Sequence, residues 1–529
     1  MGALDELLFG GTDETGDPAA RSGWRTAGRI AGRAGASLAV AVMLELGWSP
    51  SAAAEQIAAA EEENRSKNVV FALIDDLGWA DLGAYGNEFN ETPHIDRFAE
   101  ESMLFTDAYA APVCSPTRAA LMSGQDTARL NLTSFIPGHW RPFEVLDEPV
   151  NRPQHLPHDL VALPEALSDA GYATAHYGKW HLGSGGQHFP TEHGFDEAIV
   201  TGGRHFAPDF HTSPSHDVEP GTALIDFLTD RTIDFMERHA DQPFFVHLSH
   251  YAVHIPIDTT EELFQKYDAK EPVEGYPSNP YYAGMLEQLD DSFGRLLDAI
   301  DEMGLADDTV VIFYSDNGGL VQRFDVVGDE DAQVVTSNAP LRDEKGSLYE
   351  GGVRVPLIVR YPGMTEPGSQ CAEPMLANDF YPTLAEIAGV SPPGQAVDGL
   401  SMLPLFENPE ASLARDAIHM HYPHYHHSRP GSFIRQGDWK LIEFFDDNSL
   451  ELYNLAEDIG EEHNLAREEP ERAARMWHRL ADWRQARQAA MPAPNPRFDP
   501  ERRHEWWNRR QHQPVNSDGM NQHFNPRLY

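Results

Sequence analysis

The chain has 529 residues, 41% hydrophobic and 10% aromatic, enough for one large α/β domain with a smaller companion. Its formal net charge of −45 excludes nonspecific binding to nucleic-acid backbones or anionic membranes, so an anionic substrate would need a locally positive pocket. With only two cysteines, Cys114 and Cys371, there is no disulfide framework.

Residues 1–65 differ in texture from the remainder of the chain. An acidic, Gly-rich leader gives way to Arg21, Arg25, Arg29 and Arg33, then an apolar run from Ala34 to Trp48, then small residues at 51–54. That order is the order of a secretory signal, although Glu45 interrupts the apolar run. The expectation is an N-terminal extension that directs the chain to the periplasm or the exterior. No other run is long and apolar enough for a stable membrane span.

A catalytic domain is expected over 66–412. Asn68-Val-Val-Phe-Ala-Leu-Ile74 is a continuous apolar run of strand length, as in a parallel strand buried on both faces, and it ends in Asp75-Asp76-Leu77-Gly78. Cys114-Ser115-Pro116-Thr117-Arg118 comes next. Ser115 suits an N-cap, Pro116 the first helical position and Gly124 the stop, which predicts a short helix starting just after Cys114. Cys114 then sits over free backbone N–H groups that favour an anion, and Arg118 adds a permanent charge in the first turn. The arrangement suits attack on a tetrahedral oxyanion ester.

Three further strands repeat the plan. Tyr172–His176 runs into Gly178-Lys179-Trp180-His181, Phe244–Ser249 into Val253-His254-Ile255-Pro256, and Thr309–Tyr314 into Ser315-Asp316-Asn317-Gly318-Gly319. Between the last two, Leu286, Leu289, Phe293, Leu296, Leu297 and Ile300 recur at helical spacing over Tyr281–Met303. Strands alternating with helices predict a large, mostly parallel sheet covered on both faces, with its ligands at the carboxyl ends of the strands. A smaller subdomain is expected over 413–491, with short antiparallel strands at Ser432–Arg435, Trp439–Phe445 and Leu450–Tyr453 and a helix from Pro470 to about Met491. A Pro/Arg/Trp-rich tail over 492–529 should strap the surface.

Asp75, Asp76 and Asp316 would meet on one rim. Two like charges about 4 Å apart repel by roughly 4 kcal/mol at an effective dielectric near 20, so three carboxylates need a cation or a proton. Oxygen ligands with Asn317 as a neutral fourth select a hard ion, Ca²⁺ before Mg²⁺. Lys179, His181, His254 and Lys345 would ring the same rim with cationic or proton-donating groups. Arg354, in Glu350-Gly351-Gly352-Val353-Arg354, is expected to brace its loop.

These stretches, spanning roughly Asn68 to Met491, resemble the type I, formylglycine-dependent sulfatases of the alkaline-phosphatase superfamily. The likeness is carried by the Asp75-Asp76, Cys114-Ser-Pro-Thr-Arg118, Gly178-Lys-Trp-His181, Val253-His254 and Ser315-Asp-Asn-Gly-Gly319 stretches. Lys345, Glu350-Gly-Gly-Val-Arg354 and Leu452-Tyr-Asn-Leu455 add to it. Thr117 stands where the family more often has Ser.

The resemblance implies an alkaline-phosphatase-like fold and a sulfuric ester hydrolase. It implies that a maturation enzyme oxidises Cys114 to formylglycine, whose hydrated aldehyde attacks sulfur beside one Ca²⁺. By the same resemblance Asp75, Asp76, Asp316 and Asn317, with the residue at 114, hold the metal. Arg118, Lys179 and Lys345 neutralise sulfate oxygens, His254 protonates the leaving alcohol, and His181 is the base that expels sulfate.

A sulfated saccharide is preferred to a simple aryl sulfate. His205 and the run His419–His427, with five histidines in nine residues, offer Tyr/His-rich edges, and His421 and His424 are candidates to bind sugar hydroxyls. The alternatives are a phosphodiester or phosphonate monoester hydrolase of the same superfamily, and a sulfated-glycan-binding pseudoenzyme that keeps Cys114 as a thiol.

Overall fold

The computed structural model describes residues 67–322, 334–391, 394–509 and 512–514; the signal-like segment lies outside them. At the centre is a ten-stranded sheet. Its order is Gln370–Cys371, Met103–Tyr109, Arg354–Arg360, Thr309–Ser315, Asn68–Ile74, Phe244–Ser249, Ala173–Gly178, Glu197–Gly203 and Phe210–Ser213, with Met375–Leu376 also pairing to Met103–Tyr109. The four middle strands, from Thr309–Ser315 to Ala173–Gly178, are mutually parallel. Arg354–Arg360 and Phe210–Ser213 run antiparallel to their neighbours.

Alternation along Asn68–Ile74 shows why this sheet needs cover on both sides. Val70, Ala72 and Ile74 face one core with Leu286, Leu289, Phe293 and Leu296 of the helix Pro280–Glu302. Val69, Phe71 and Leu73 face another core, with Ala119, Leu121 and Met122 of the helix Cys114–Ser123 and with Phe380. The helix Pro280–Glu302 starts where Pro at its first position and the Asn279 side chain, accepting from the Tyr281 and Tyr282 N–H groups, remove its orphan donors.

The C-terminal part is a four-stranded antiparallel sheet, Ile418–Tyr422, Gly431–Gln436, Trp439–Phe444 and Leu450–Asn454. One face carries the helix Pro470–Arg487 through Ile434, Leu441, Leu452, Met476 and Leu480. The other face packs Tyr422, Phe433 and Ile442 against Tyr109, Val113 and Val353 beside the large sheet. Buried ion pairs cross the same seam: Lys440 meets Glu350 at 2.7 Å, and Asp107 takes Arg354 at 2.8 Å and Arg435 at 2.5 Å. Arg354 thus braces its loop, as expected.

The structure adds to these expectations and changes one. The start of the histidine-rich run is a strand, Ile418–Tyr422, which the sequence reading did not place, because each of its residues finds a partner in Gly431–Gln436. The last helix ends at Arg487, where Gln488 turns into the left-handed region. Cys371, set in a polar Gly-Ser-Gln-Cys-Ala-Glu sequence, is a buried strand residue. Among the described residues of the tail, Ala493–Pro494 pairs with Leu146–Asp147, and Trp507–Asn508 with His139–Trp140.

Candidate active site

The parallel strands end flush, with Ile74 level with Ser315, Leu73 level with Ser249 and Ser249 level with Gly178. Their next residues therefore meet on one rim. Asp75 and Asp76 come from the first strand, Asp316 and Asn317 from the second, Lys179 from the third, and His254 from the turn after Ser249. Gly178 makes this possible. Its φ is +119, and a Cβ there would lie 1.8 Å from the Ser249 carbonyl oxygen, which instead accepts the Lys179 N–H at 2.9 Å. Asp76 and His181, at φ 64 and 57, hold the left-handed conformation that side chains rarely adopt away from functional sites.

The helix starts at Cys114, not after it, and Ser115 does not cap it. Its hydroxyl instead donates to the His181 carbonyl at 2.9 Å and accepts the Ile136 N–H at 3.1 Å, tying three segments together. Thr117 keeps a hydroxyl where it is used, accepting the Ala111 N–H at 2.8 Å. Cys114 is 2% exposed, with the Lys179 ammonium 3.4 Å from its sulfur. Burial pushes its thiol pKa up against the pull of Lys179 and Lys345, so the unmodified residue is a poor thiolate nucleophile.

Arg118 is placed differently from the expectation. It is 1% exposed, its Nε and Nη2 hold Asp316 at 2.8 and 2.6 Å, and its Nη1 donates to the Lys179 carbonyl and the Ser249 hydroxyl, each at 2.6 Å. A guanidinium so engaged orients a carboxylate. Lys345 holds both oxygens of Asp76, at 2.6 and 2.8 Å, and Lys179 bonds Asp75. Burial raises the Asp76 pKa, but Lys345, His254 and Lys179 outweigh it and hold the carboxyl below its usual range. Asp316 goes the other way, to about 6, because burial and the neighbouring Asp75 outweigh Arg118 and Lys179.

The acidic groups fit a hard cation. Asp75 Oδ1 and Asn317 Oδ1 are buried with no hydrogen-bond partner among the described residues, although Asn317 Nδ2 donates to Asp76 at 2.8 Å. Ligand atoms of Asp75, Cys114 and Asp316 lie within 4.8 Å of one another, as do those of Asp75, Asp76 and His254. Unpartnered oxygens of a carboxylate and a carboxamide are donors for an oxygen-seeking divalent ion such as Ca²⁺.

The histidines divide into those at the rim and those behind it. His181 Nε2 donates to the Ile136 carbonyl at 2.6 Å, which leaves the lone pair on the unpartnered Nδ1. Burial first, then Lys179, keeps its pKa well below the usual value, so it is a neutral base. The His254 side chain keeps 20% exposure, with Nε2 3.7 Å from Asp76 and Nδ1 against the Ile255 carbonyl. Burial and the two lysines depress its pKa to about 3.

The family model described as Sulfatase matches residues 67–390, and that described as N-sulphoglucosamine sulphohydrolase, C-terminal, matches residues 343–486. The chain belongs to the sulfatase family. It is an enzyme that hydrolyses sulfate esters. A protein from Formosa agariphila called "Sulfatase" is 33% identical over 80% of this chain and 89% of that one. Human N-acetylgalactosamine-6-sulfatase is 33% identical, over 64% of this chain and 65% of its own length. Among solved structures, Ps i-CgsB in complex with k-i-k-neocarrahexaose has a TM-score of 0.67 and 27% identity, covering 82% of this chain and 95% of that one.

In this sulfatase the expected sugar-binding histidines are not free. His421 spends Nδ1 on the Ser432 hydroxyl and Nε2 on the Ala490 carbonyl, at 2.7 and 3.0 Å. His424 lies buried between Thr133 and Glu148, at 2.9 and 3.2 Å. His205 sits behind the rim, with Nε2 donating to the His254 carbonyl at 2.9 Å. All three hold structure. Spacing did not single out Tyr251, yet its ring lies between His205 and His254, 5.0 Å from each and nearly parallel, with the Lys179 ammonium 5.5 Å from its centroid. His427 closes the histidine run, and its Nδ1 donates to the Lys345 carbonyl at 2.8 Å.

Proposed function

We propose that this sulfatase removes sulfate from a sulfated carbohydrate, using formylglycine made from Cys114 and one Ca²⁺ held by Asp75, Asp76, Asp316 and Asn317 with the residue at 114. The convergence of these side chains from distant strands, with two buried oxygens left unpartnered, carries the reading. The carbohydrate class rests on the relatives, one named for N-acetylgalactosamine 6-sulfate and one solved with a carrahexaose. When present, the oxidised residue supplies a hydrated aldehyde as nucleophile, and the cation withdraws charge from the sulfate oxygens.

The chain's own residues do the rest. Lys179 and Lys345 face the residue at 114 and stabilise charge that develops on nonbridging oxygens. His254 at the rim delivers a proton to the departing alkoxide; burial first, then the two lysines, depress its pKa, and an anionic sulfate against the lysines offsets their part. His181, neutral with its lone pair on Nδ1, accepts the proton when sulfate is expelled.

The test is sulfate release from a panel of sulfated mono- and oligosaccharides by protein co-expressed with the maturation enzyme, with the mass at residue 114 measured on the same sample. The expected outcome is release from at least one saccharide by matured protein and none by Cys114→Ala. Matured protein that cleaves aryl phosphodiesters faster than every sulfate ester would overturn the reading. So would a persistent thiol with full activity.

A further inference from the structure

We propose that His155, His158 and His188 form a second metal site, on the surface, for a single divalent transition ion of the zinc type. It is independent of the sulfate-ester chemistry. One ring nitrogen from each lies within 4.8 Å of the others. The rings are stacked, with centroids 3.9 Å apart for His155 and His188 and 5.3 Å for His158 and His188, so an ion would draw them out of the stack to turn their in-plane lone pairs inward. His158 Nε2 and His188 Nδ1 are 3.2 Å apart, close to the edge of a tetrahedron of nitrogens at ~2.0–2.1 Å from a zinc ion.

The surroundings are those of metal-binding imidazoles. His155 Nδ1 donates to the Leu156 carbonyl at 2.9 Å, so its lone pair is fixed on Nε2. Such a backbone carbonyl on the far nitrogen is the usual partner of a ligating histidine. The side chain of Gln187 lies 3.4 Å from His188 Nε2, and its carboxamide oxygen, with the amide turned over, accepts the Nε2–H and leaves Nδ1 free to ligate.

A fourth imidazole backs the three. His193 is 1% exposed, stacks on His158 at 4.5 Å and 12°, and has a buried Nε2 with no partner among the described residues. The backbone is built for this approach. Leu156 N–H donates to the Leu182 carbonyl at 3.0 Å, and a Cβ at Gly183 would come within 2.7 Å of His188 Cβ and 2.9 Å of His155 Cβ. An all-imidazole donor set suits zinc, copper or nickel over calcium or magnesium, and the exposed His158 gives an ion access from solvent.

The site adjoins the catalytic rim along the chain. Trp180, between Lys179 and His181, donates its indole N–H to the His188 carbonyl at 2.9 Å and packs its ring 5.8 Å from His193. A bound ion would fix the loop Gly183–His188 to the segment His155–His158 and so brace the turn that carries Lys179.

The test uses the full-length chain in a Cys114→Ala background, which removes the thiol as a rival ligand, with Ca²⁺ in excess. Zn²⁺ is titrated by calorimetry and located by anomalous scattering from crystals. The expected result is one saturable site per chain, with the ion bonded to three imidazole nitrogens. His158→Ala, on an exposed side chain, should weaken it by more than the ~10–100-fold that loss of an outer partner costs. Zn²⁺ should raise the melting temperature of the parent and not of His158→Ala or His188→Ala, whose zinc-free melting temperatures stay at the parent value. No saturable binding, unchanged affinity in both variants, or an ion located elsewhere would overturn the proposal.

Discussion

At the scale of single residues, the proposed chemistry separates groups that would touch substrate from groups that aim them. His254 is the half-buried histidine at the rim, so His254→Ala should slow turnover by ~10²–10⁴-fold on a saccharide sulfate, whose alkoxide needs a proton. The loss should be much smaller on nitrophenyl sulfate, which leaves unaided. Steady-state rates on the two substrates check this, and an equal loss on both would remove His254 from the acid role. Asp75, Asp76, Asp316 and Lys179 were legible because each lies within two residues of the end of a strand. Arg118 was legible as a charge but not as an anchor, because only the fold brings Asp316 and Ser249 to its fork. His421 and His424 misled because their partners, Ala490 and Glu148, lie far away in sequence.

Among the elements, glycine and a buried carboxylate make the sharpest tests. Gly178→Ala would drive a Cβ into the Ser249 carbonyl, which is backbone and cannot swing aside. The variant should express poorly or lose activity with its melting temperature lowered, whereas Gly171→Ala, where no atom lies within 4 Å, should be milder despite its positive φ. Thermal melts of both variants decide it.

Asp290, on the long helix, accepts the N–H groups of Ile95 and His94 at 2.7 and 3.0 Å and so satisfies orphan donors of the helix Pro93–Glu100. Burial raises its pKa from 3.8 to about 6. Between those values the folded chain keeps a proton that the unfolded chain has released, so this group lowers stability as pH rises through that window. Urea midpoints at about pH 4 and about pH 6 should show a flatter profile for Asp290→Asn than for the parent; identical slopes would exclude the group. The long helix and the middle strands were readable because their periodicity is unbroken. The strand Ile418–Tyr422 was not, since side-chain chemistry there masked a simple alternation.

Across the whole molecule, the smaller sheet is locked to the larger one by charge as well as by apolar packing. Lys440 is fully buried between Glu350 and Glu461, at 2.7 and 2.9 Å. Lys440→Met would leave two buried carboxylates facing one another and should cost about 3–5 kcal/mol. Denaturant titration measures that loss, and a change under about 1 kcal/mol would show the pair to be solvated. This seam was not legible from composition, because a net charge of −45 says nothing about which few cations lie inside. The fold class was legible, because alternating strands and helices leave few other ways to bury both faces of a sheet.

The proposed chemistry depends on carboxylates from two strands sharing one ion beside residue 114. Calcium content of the matured full-length enzyme, measured alongside its sulfatase rate, is the decisive measurement. The expected result is one tightly held Ca²⁺ per chain, with Asp316→Ala losing both the ion and turnover while remaining folded. Full activity in verified calcium-free protein, or an unchanged calcium content in Asp316→Ala, would contradict it.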